Sequence, residues 1–214
     1  MAGLTRKGLL ARAGVVGVAA AVPGGVLVAK AASPPQREQL EFFTADQAEA
    51  VDAFVSRLIP TDAGGPGAAE ARVARYIDRA LAGELRELGS SYSSNLAALD
   101  SYSRSRFGAD FADLRADQQD AVLTSLERNE APGFTPSSAG FFNTVREHAL
   151  QGMFGDPVHG GNDEFIGWDL VDFPGIKLNF LPKEQALDVT IKPTHKSTAD
   201  YPLFSPKGKE HPHG

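Results

Sequence analysis

Apolar residues recur at helical spacing in five stretches between Thr44 and Phe154, and the pattern stops at Gly155. Repeats at i, i+3 and i+4 put side chains on one face of an α-helix, and such a face must be buried against another element. In the first stretch the stripe is Val51, Phe54, Val55, Leu58 and Ile59; Thr44 with Gln47 three residues on reads as a capping box, and Pro60 ends the helix. The breaker cluster TDAGGPG leads to a second helix, AAEARVARYIDRALAG from Ala68, with a stripe of Val73, Tyr76, Ile77, Ala80 and Leu81. A third helix, starting near Ser93, carries Leu96 and Leu99, with Tyr102 and Phe107 as further inward candidates. The fourth carries Val122, Leu123 and Leu126. Its expected N-cap position holds Arg115, which has no side-chain acceptor, so its start is poorly marked. The fifth carries Phe141, Phe142, Val145, Ala149 and Met153, with His148 at the edge of the stripe as a partly buried, hydrogen-bonded histidine. Asp78 and Asp100 read as residues of solvated helix faces. Five amphipathic helices with short connections predict an all-α bundle, followed by a long irregular Gly/Pro-rich C-terminal segment.

Composition narrows the function classes. The 214 residues carry a net charge of −6, which argues against a general affinity for nucleic acid. No cysteine is present, which excludes disulfides, thiolate-bound iron–sulfur clusters, a thiol nucleophile and covalent c-type haem in this chain. Residues 1–32 read as an export signal: basic Arg6, Lys7 and Arg12, a weakly apolar Gly/Ala/Val run, and a small-residue close at Ala29-Lys30-Ala31. The TRKGLL core resembles a twin-arginine signal with Lys7 in place of the second arginine, and predicts a periplasmic destination by that route. Residues 33–42 read as a linker. Removing the four basic residues of 1–32 leaves 21 − 4 = 17 basic against 27 acidic residues, so the remainder carries −10.

No dinucleotide fingerprint, P-loop or H-E-x-x-H motif is present. Residues 155–175, GDPVHGGNDEFIGWDLVDFPG, hold five glycines and the one tryptophan. His159 beside Asp156 suggests an acid/base neighbourhood, but no nucleophile or cofactor motif accompanies it. A stand-alone hydrolase or isomerase using Asp156 and His159 is therefore the alternative reading; the main reading assigns this chain no catalytic, cofactor-binding or metal-ligating residue. Glycines 155, 160, 161 and 167 permit close backbone approach, Asp156-Pro157 starts a turn, Asn162 can hold one through its side chain, and Trp168 supplies a buried anchor whose indole N–H needs a partner. This describes an ordered structural and docking loop. Residues 176–214 read as an extended tail with one strand-like run at 186–191, either disordered or laid along something else.

The same block resembles the signature of the gluconate 2-dehydrogenase subunit 3 family. Asp156-Pro157, Gly160-Gly161-Asn162, Gly167-Trp168 and Phe173-Pro174-Gly175 match its pattern in order. Upstream, Leu58–Asp62, Pro66-Gly67-Ala68, Tyr76-Ile77-Asp78, Leu96–Asp100, Arg106-Phe107-Gly108 and Phe141-Phe142 also fit, so the helical small-subunit domain spans 43–175. The resemblance implies a small subunit of a periplasmic, membrane-associated sugar, sugar-acid or alcohol dehydrogenase. It implies a large partner carrying FAD and, in some complexes, a multihaem cytochrome c subunit. Membrane association, peripheral to the inner membrane, then comes through those partners. It further implies roles in maturation, stabilisation and twin-arginine export of the flavoprotein.

Overall fold

The computed structural model describes residues 39–184, 186, 189 and 191–204. The signal segment with Arg6 and Lys7, the linker up to residue 38, and much of the strand-like run at 186–191 lie outside them. Among the described residues there are six α-helices and no strand: α1 Ala45–Leu58, α2 Val73–Ala82, α3 Gly89–Phe107, α4 Ala116–Glu127, α5 Ser138–Phe154 and the short α6 Ile166–Leu170. The first five are the helices expected from periodicity. No described helix is long and apolar enough to cross a membrane.

The core is drawn from residues 43–168. Phe54 sits at its centre, with its ring 6.0 Å from Phe111, 6.1 Å from Phe141 and 6.0 Å from Phe142. Every residue of the α2 stripe is buried, as are the stripe residues of α4 and α5. In α1 the stripe is buried through Val55, while Leu58 and Ile59 are only half-buried. Tyr102 and Phe107 lie half-buried at the edge of α3, where the Arg106 guanidinium covers both rings at 5.7 and 5.6 Å.

Helix ends show where local chemistry decides. The α1 capping box forms: Thr44 Oγ1 accepts from Gln47 N at 3.3 Å and Gln47 Oε1 accepts from Thr44 N at 3.1 Å. At α4, Arg115 does occupy the N-cap. Gln118 Oε1 accepts its backbone N–H at 3.1 Å, and its guanidinium pairs with Asp117 in the first turn. Two starts differ from the expected ones. α3 begins at Gly89, directly after a 3-10 turn at Arg86–Leu88, and α2 begins only at Val73, after Arg72 adopts φ 57°. Residues 68–72 form a turn instead, in which Arg72 N donates to Ala69 O at 3.1 Å and Val73 N to Ala68 O at 3.0 Å, three and five residues back rather than the four of an α-helix.

Two aspartates correct the expectation of solvated faces. Asp78 is fully buried; its carboxylate accepts the backbone N–H groups of Glu41, Phe42 and Phe43 at 2.8–2.9 Å and the Arg75 guanidinium at 2.8 Å. A carboxylate is tolerated in an interior when it gathers that many donors. It pins the segment entering α1 onto α2. Asp100 is half-buried and accepts Phe111 N at 3.0 Å, fixing the 3-10 turn Phe111–Asp113, and burial raises its pKa. Asn95, also buried, clasps the α4–α5 connection by donating to Thr135 O and accepting from Thr135 N, both at 2.9 Å. His148 is buried as expected, with Nδ1 2.7 Å from the Tyr92 hydroxyl. Burial lowers the His148 pKa and raises that of Tyr92, so the hydroxyl donates to a neutral imidazole.

Candidate functional site

An α-helix leaves its last carbonyls without intrahelical partners. At the C-terminus of α5 the block 155–175 supplies them. Trp168 Nε1 donates to Phe154 O at 2.8 Å, and Asn162 Nδ2 donates to Gly155 O at 2.8 Å. Asn162 is fully buried with φ 47°, and its other side-chain atom serves the next helix: Oδ1 accepts Gly167 N at 2.7 Å and Trp168 N at 3.4 Å, inside α6. One amide therefore ties the end of α5 to the start of α6. Asparagine suits the position because it offers donor and acceptor together and tolerates the left-handed conformation.

The glycines follow from this closeness. A Cβ at Gly161 would overlap the Gly152 carbonyl oxygen, and one at Gly167 would overlap that of Met153. Trp168 is 4 % exposed, with its ring 5.4 Å from Phe165 and 4.8 Å from Phe173. Asp163 N donates to Ala71 O at 3.2 Å, fastening the block to the turn before α2. The sequence-predicted residues Gly161, Asn162, Gly167 and Trp168 thus converge on one structure, a knot over the end of α5.

Asp156 and Pro157 open the block with a 3-10 turn at Pro157–His159, closed by Gly160 at φ 97°. The Asp156 carboxylate is occupied by backbone amides: Oδ1 accepts Val158 N at 3.1 Å and Oδ2 accepts Thr198 N at 2.9 Å. No hydrogen bond joins it to the His159 imidazole, so the pair suspected of acid/base chemistry is not assembled. His159 is exposed and lines a cleft of about 190 Å³ with Glu41, Tyr76, Arg79, Gly83 and Glu84. Among the described residues no cluster of three histidine or carboxylate side chains is placed to hold a metal ion.

Pro174 and Gly175 receive the returning tail. Pro174 O accepts Thr194 N at 2.8 Å, Ile176 N donates to Lys196 O at 2.7 Å, and the Tyr201 hydroxyl donates to Ile176 O at 2.7 Å. His195 lies flat on Phe165, with ring centroids 5.0 Å apart, and its Nε2 is 2.8 Å from Asp169 Oδ1. The sequence reading missed His195 and Thr198 as parts of this site. Their partners lie 26 and 42 residues away, and neither residue stands in a recognisable motif.

Around the knot, apolar side chains face outward. Leu150, Phe154, Val158, Leu170, Val171 and Phe173 are all more than a third exposed. Beside them α1 and α5 form a groove of about 220 Å³ lined by Leu58, Ile59, Arg146, Ala149 and Leu150. Isolated exposed apolar residues are ordinary, but here six large ones fall between residues 150 and 173.

Residues 45–175 match the family described as gluconate 2-dehydrogenase subunit 3. The chain belongs to that family. The match ends at Gly175, where the knot ends and the tail begins, so the helices and the block form the family unit. Comparison with curated proteins and with solved structures returned no match.

Proposed function

We propose that this subunit 3 protein is a non-catalytic small subunit of a membrane-associated, FAD-dependent dehydrogenase acting on a sugar, sugar acid or alcohol. It docks on the large flavoprotein subunit, stabilises it during maturation, and carries it to the periplasm through the twin-arginine-like signal around Arg6 and Lys7. A cytochrome c subunit completes the assembly where one is present. The observation that carries this reading is the build of the block. Its polar groups at Asp156, Asn162 and Trp168 bond to the chain's own backbone, while Val158, Leu170, Val171 and Phe173 are each more than a third exposed. That division suits a rigid docking knob, since ordering costs are met before the partner arrives. The hydrolase reading gains no support from a carboxylate already engaged by two backbone amides.

The test is co-expression with a large flavoprotein dehydrogenase subunit from the same organism. The pair should copurify with flavin bound, and Leu150→Ser/Phe154→Ser/Phe173→Ser should lower recovery and flavin loading without altering substrate preference. Replacing Arg6 and Lys7 with glutamine should leave both proteins in the cytoplasm. A flavoprotein that loads flavin and reaches the periplasm equally well without this chain would sink the proposal.

A further inference from the structure

The tail beyond Gly175 differs in its chemistry from the rest of the chain. Between residues 33 and 175 every basic residue is arginine; beyond 175 every one is lysine. The described part of the tail holds Lys177, Lys183, Lys192 and Lys196, and exposes Leu178, Phe180, Leu181, Val189, Leu203 and Phe204. Its two described acids are engaged by neighbouring groups of the tail. The Asp200 carboxylate accepts Ser197 N at 2.8 Å, and Glu184 pairs with Lys177 at 2.6 Å while accepting Leu181 N at 2.8 Å.

Glu184 thereby closes a small loop. Its tip is Leu178-Asn179-Phe180-Leu181, with the three apolar residues 45, 46 and 52 % exposed. At its base the Lys177 ammonium lies 5.3 Å from the Phe180 ring centroid, and Lys183 follows directly in the 3-10 turn Pro182–Glu184. Lys177, Lys183 and Lys192, with the Lys177-paired Glu184, line a cleft of about 360 Å³ whose apolar walls are Val189 and Ile191. An apolar tip beside the ammonium groups of Lys183 and Lys192 fits an anionic phospholipid surface. The tip enters the boundary of the acyl chains, the lysine stems lie along it, and their heads reach the lipid phosphates. A protein partner fits less well, because protein interfaces favour arginine and are depleted in lysine. Here lysine is the sole cation.

We propose that the loop 177–184, with Lys183 and Lys192 beside it, is a membrane-contact element that seats this subunit directly on an anionic phospholipid leaflet. This contact is separate from the docking knob and does not depend on the dehydrogenase partner. The core lies within residues 43–168, so a chain starting at residue 33 retains it and removes the signal as a source of membrane binding.

The experiment is flotation of that chain, and of the full chain, with vesicles of phosphatidylcholine alone or mixed with phosphatidylglycerol. The 33–214 chain should float with the mixed vesicles and be released by high salt. Lys183→Glu/Lys192→Glu and Leu178→Ser/Phe180→Ser/Leu181→Ser should each weaken binding about tenfold or more. Trp168 fluorescence and helical circular dichroism should match the parent in both variants, showing intact folds. In a Phe180→Trp/Trp168→Phe chain, indole emission should shift to the blue on mixed vesicles. Failure of the 33–214 chain to float, flotation without preference for phosphatidylglycerol, or equal binding by the folded variants would overturn the proposal. So would loss of flavoprotein copurification in the tip variant when the parent does not bind vesicles, which assigns the tip to protein.

Discussion

The helices α1–α5 and the block that follows hold themselves together in opposite ways. In the helices apolar side chains point in and distant segments meet through rings: Phe54 of α1 touches Phe111, Phe141 and Phe142. In the block, the Asn162 amide and the Trp168 indole N–H turn to the backbone ends of α5 and α6, and most large apolar residues other than Trp168 point out. Burial of apolar surface stabilises a fold without fixing irregular backbone. Hydrogen bonds to buried backbone groups fix it, at a modest net gain each. A region built in the second way is rigid enough to present a surface and marginal enough to open locally.

The contrast predicts where damage spreads. Phe54→Ala should lower global stability by about 3–5 kcal/mol, since it empties the centre of the core. Denaturant unfolding followed by circular dichroism should show one early transition. Trp168→Ala should cost about 3 kcal/mol or more within the block, because it removes both the ring and the N–H that caps Phe154 O. The expected signature is rapid amide exchange across 155–175 with slow exchange retained in α1 to α4. Equal loss of protection in all helices would mean that the two regions form one cooperative unit. Asn162→Ala should loosen the same residues by about 1–3 kcal/mol, since it leaves Gly155 O and Gly167 N unpaired.

The smallest effect concerns pH and belongs to the helices alone. His148 has a depressed pKa through burial, so below the ordinary imidazole range the unfolded chain binds a proton that the folded chain resists. Its contribution is present above about pH 6.5 and is lost as pH falls through the folded-state value. Stability should therefore decline on acidification, and His148→Gln should flatten that decline.

Much of the helical unit was legible because periodicity reports burial directly: Val51, Phe54, Ile77, Val122 and Val145 were placed inside and are inside. Asp78 and Asp100 were not legible, because the amides they accept come from segments 35 and 11 residues away and a carboxylate's partners leave no periodic trace. In the block, the indole's need for a partner and Asn162's holding of the turn could be argued from chemistry. Which carbonyls they serve could not, since that depends on where α5 ends. The return of Thr194, His195 and Thr198 onto the block was invisible for the same reason: irregular segments dock through single contacts, not through a repeating face.

The central claim is that the ordered block and its outward apolar rim form the surface that meets the dehydrogenase's large subunit. Hydrogen exchange of this chain alone and in complex with the co-expressed flavoprotein tests it directly. New protection should appear over residues 150–173, with little change along the outer faces of α3 and α4. Protection confined to α3 and α4, or a complex in which 150–173 exchanges as fast as in the free chain, would contradict it.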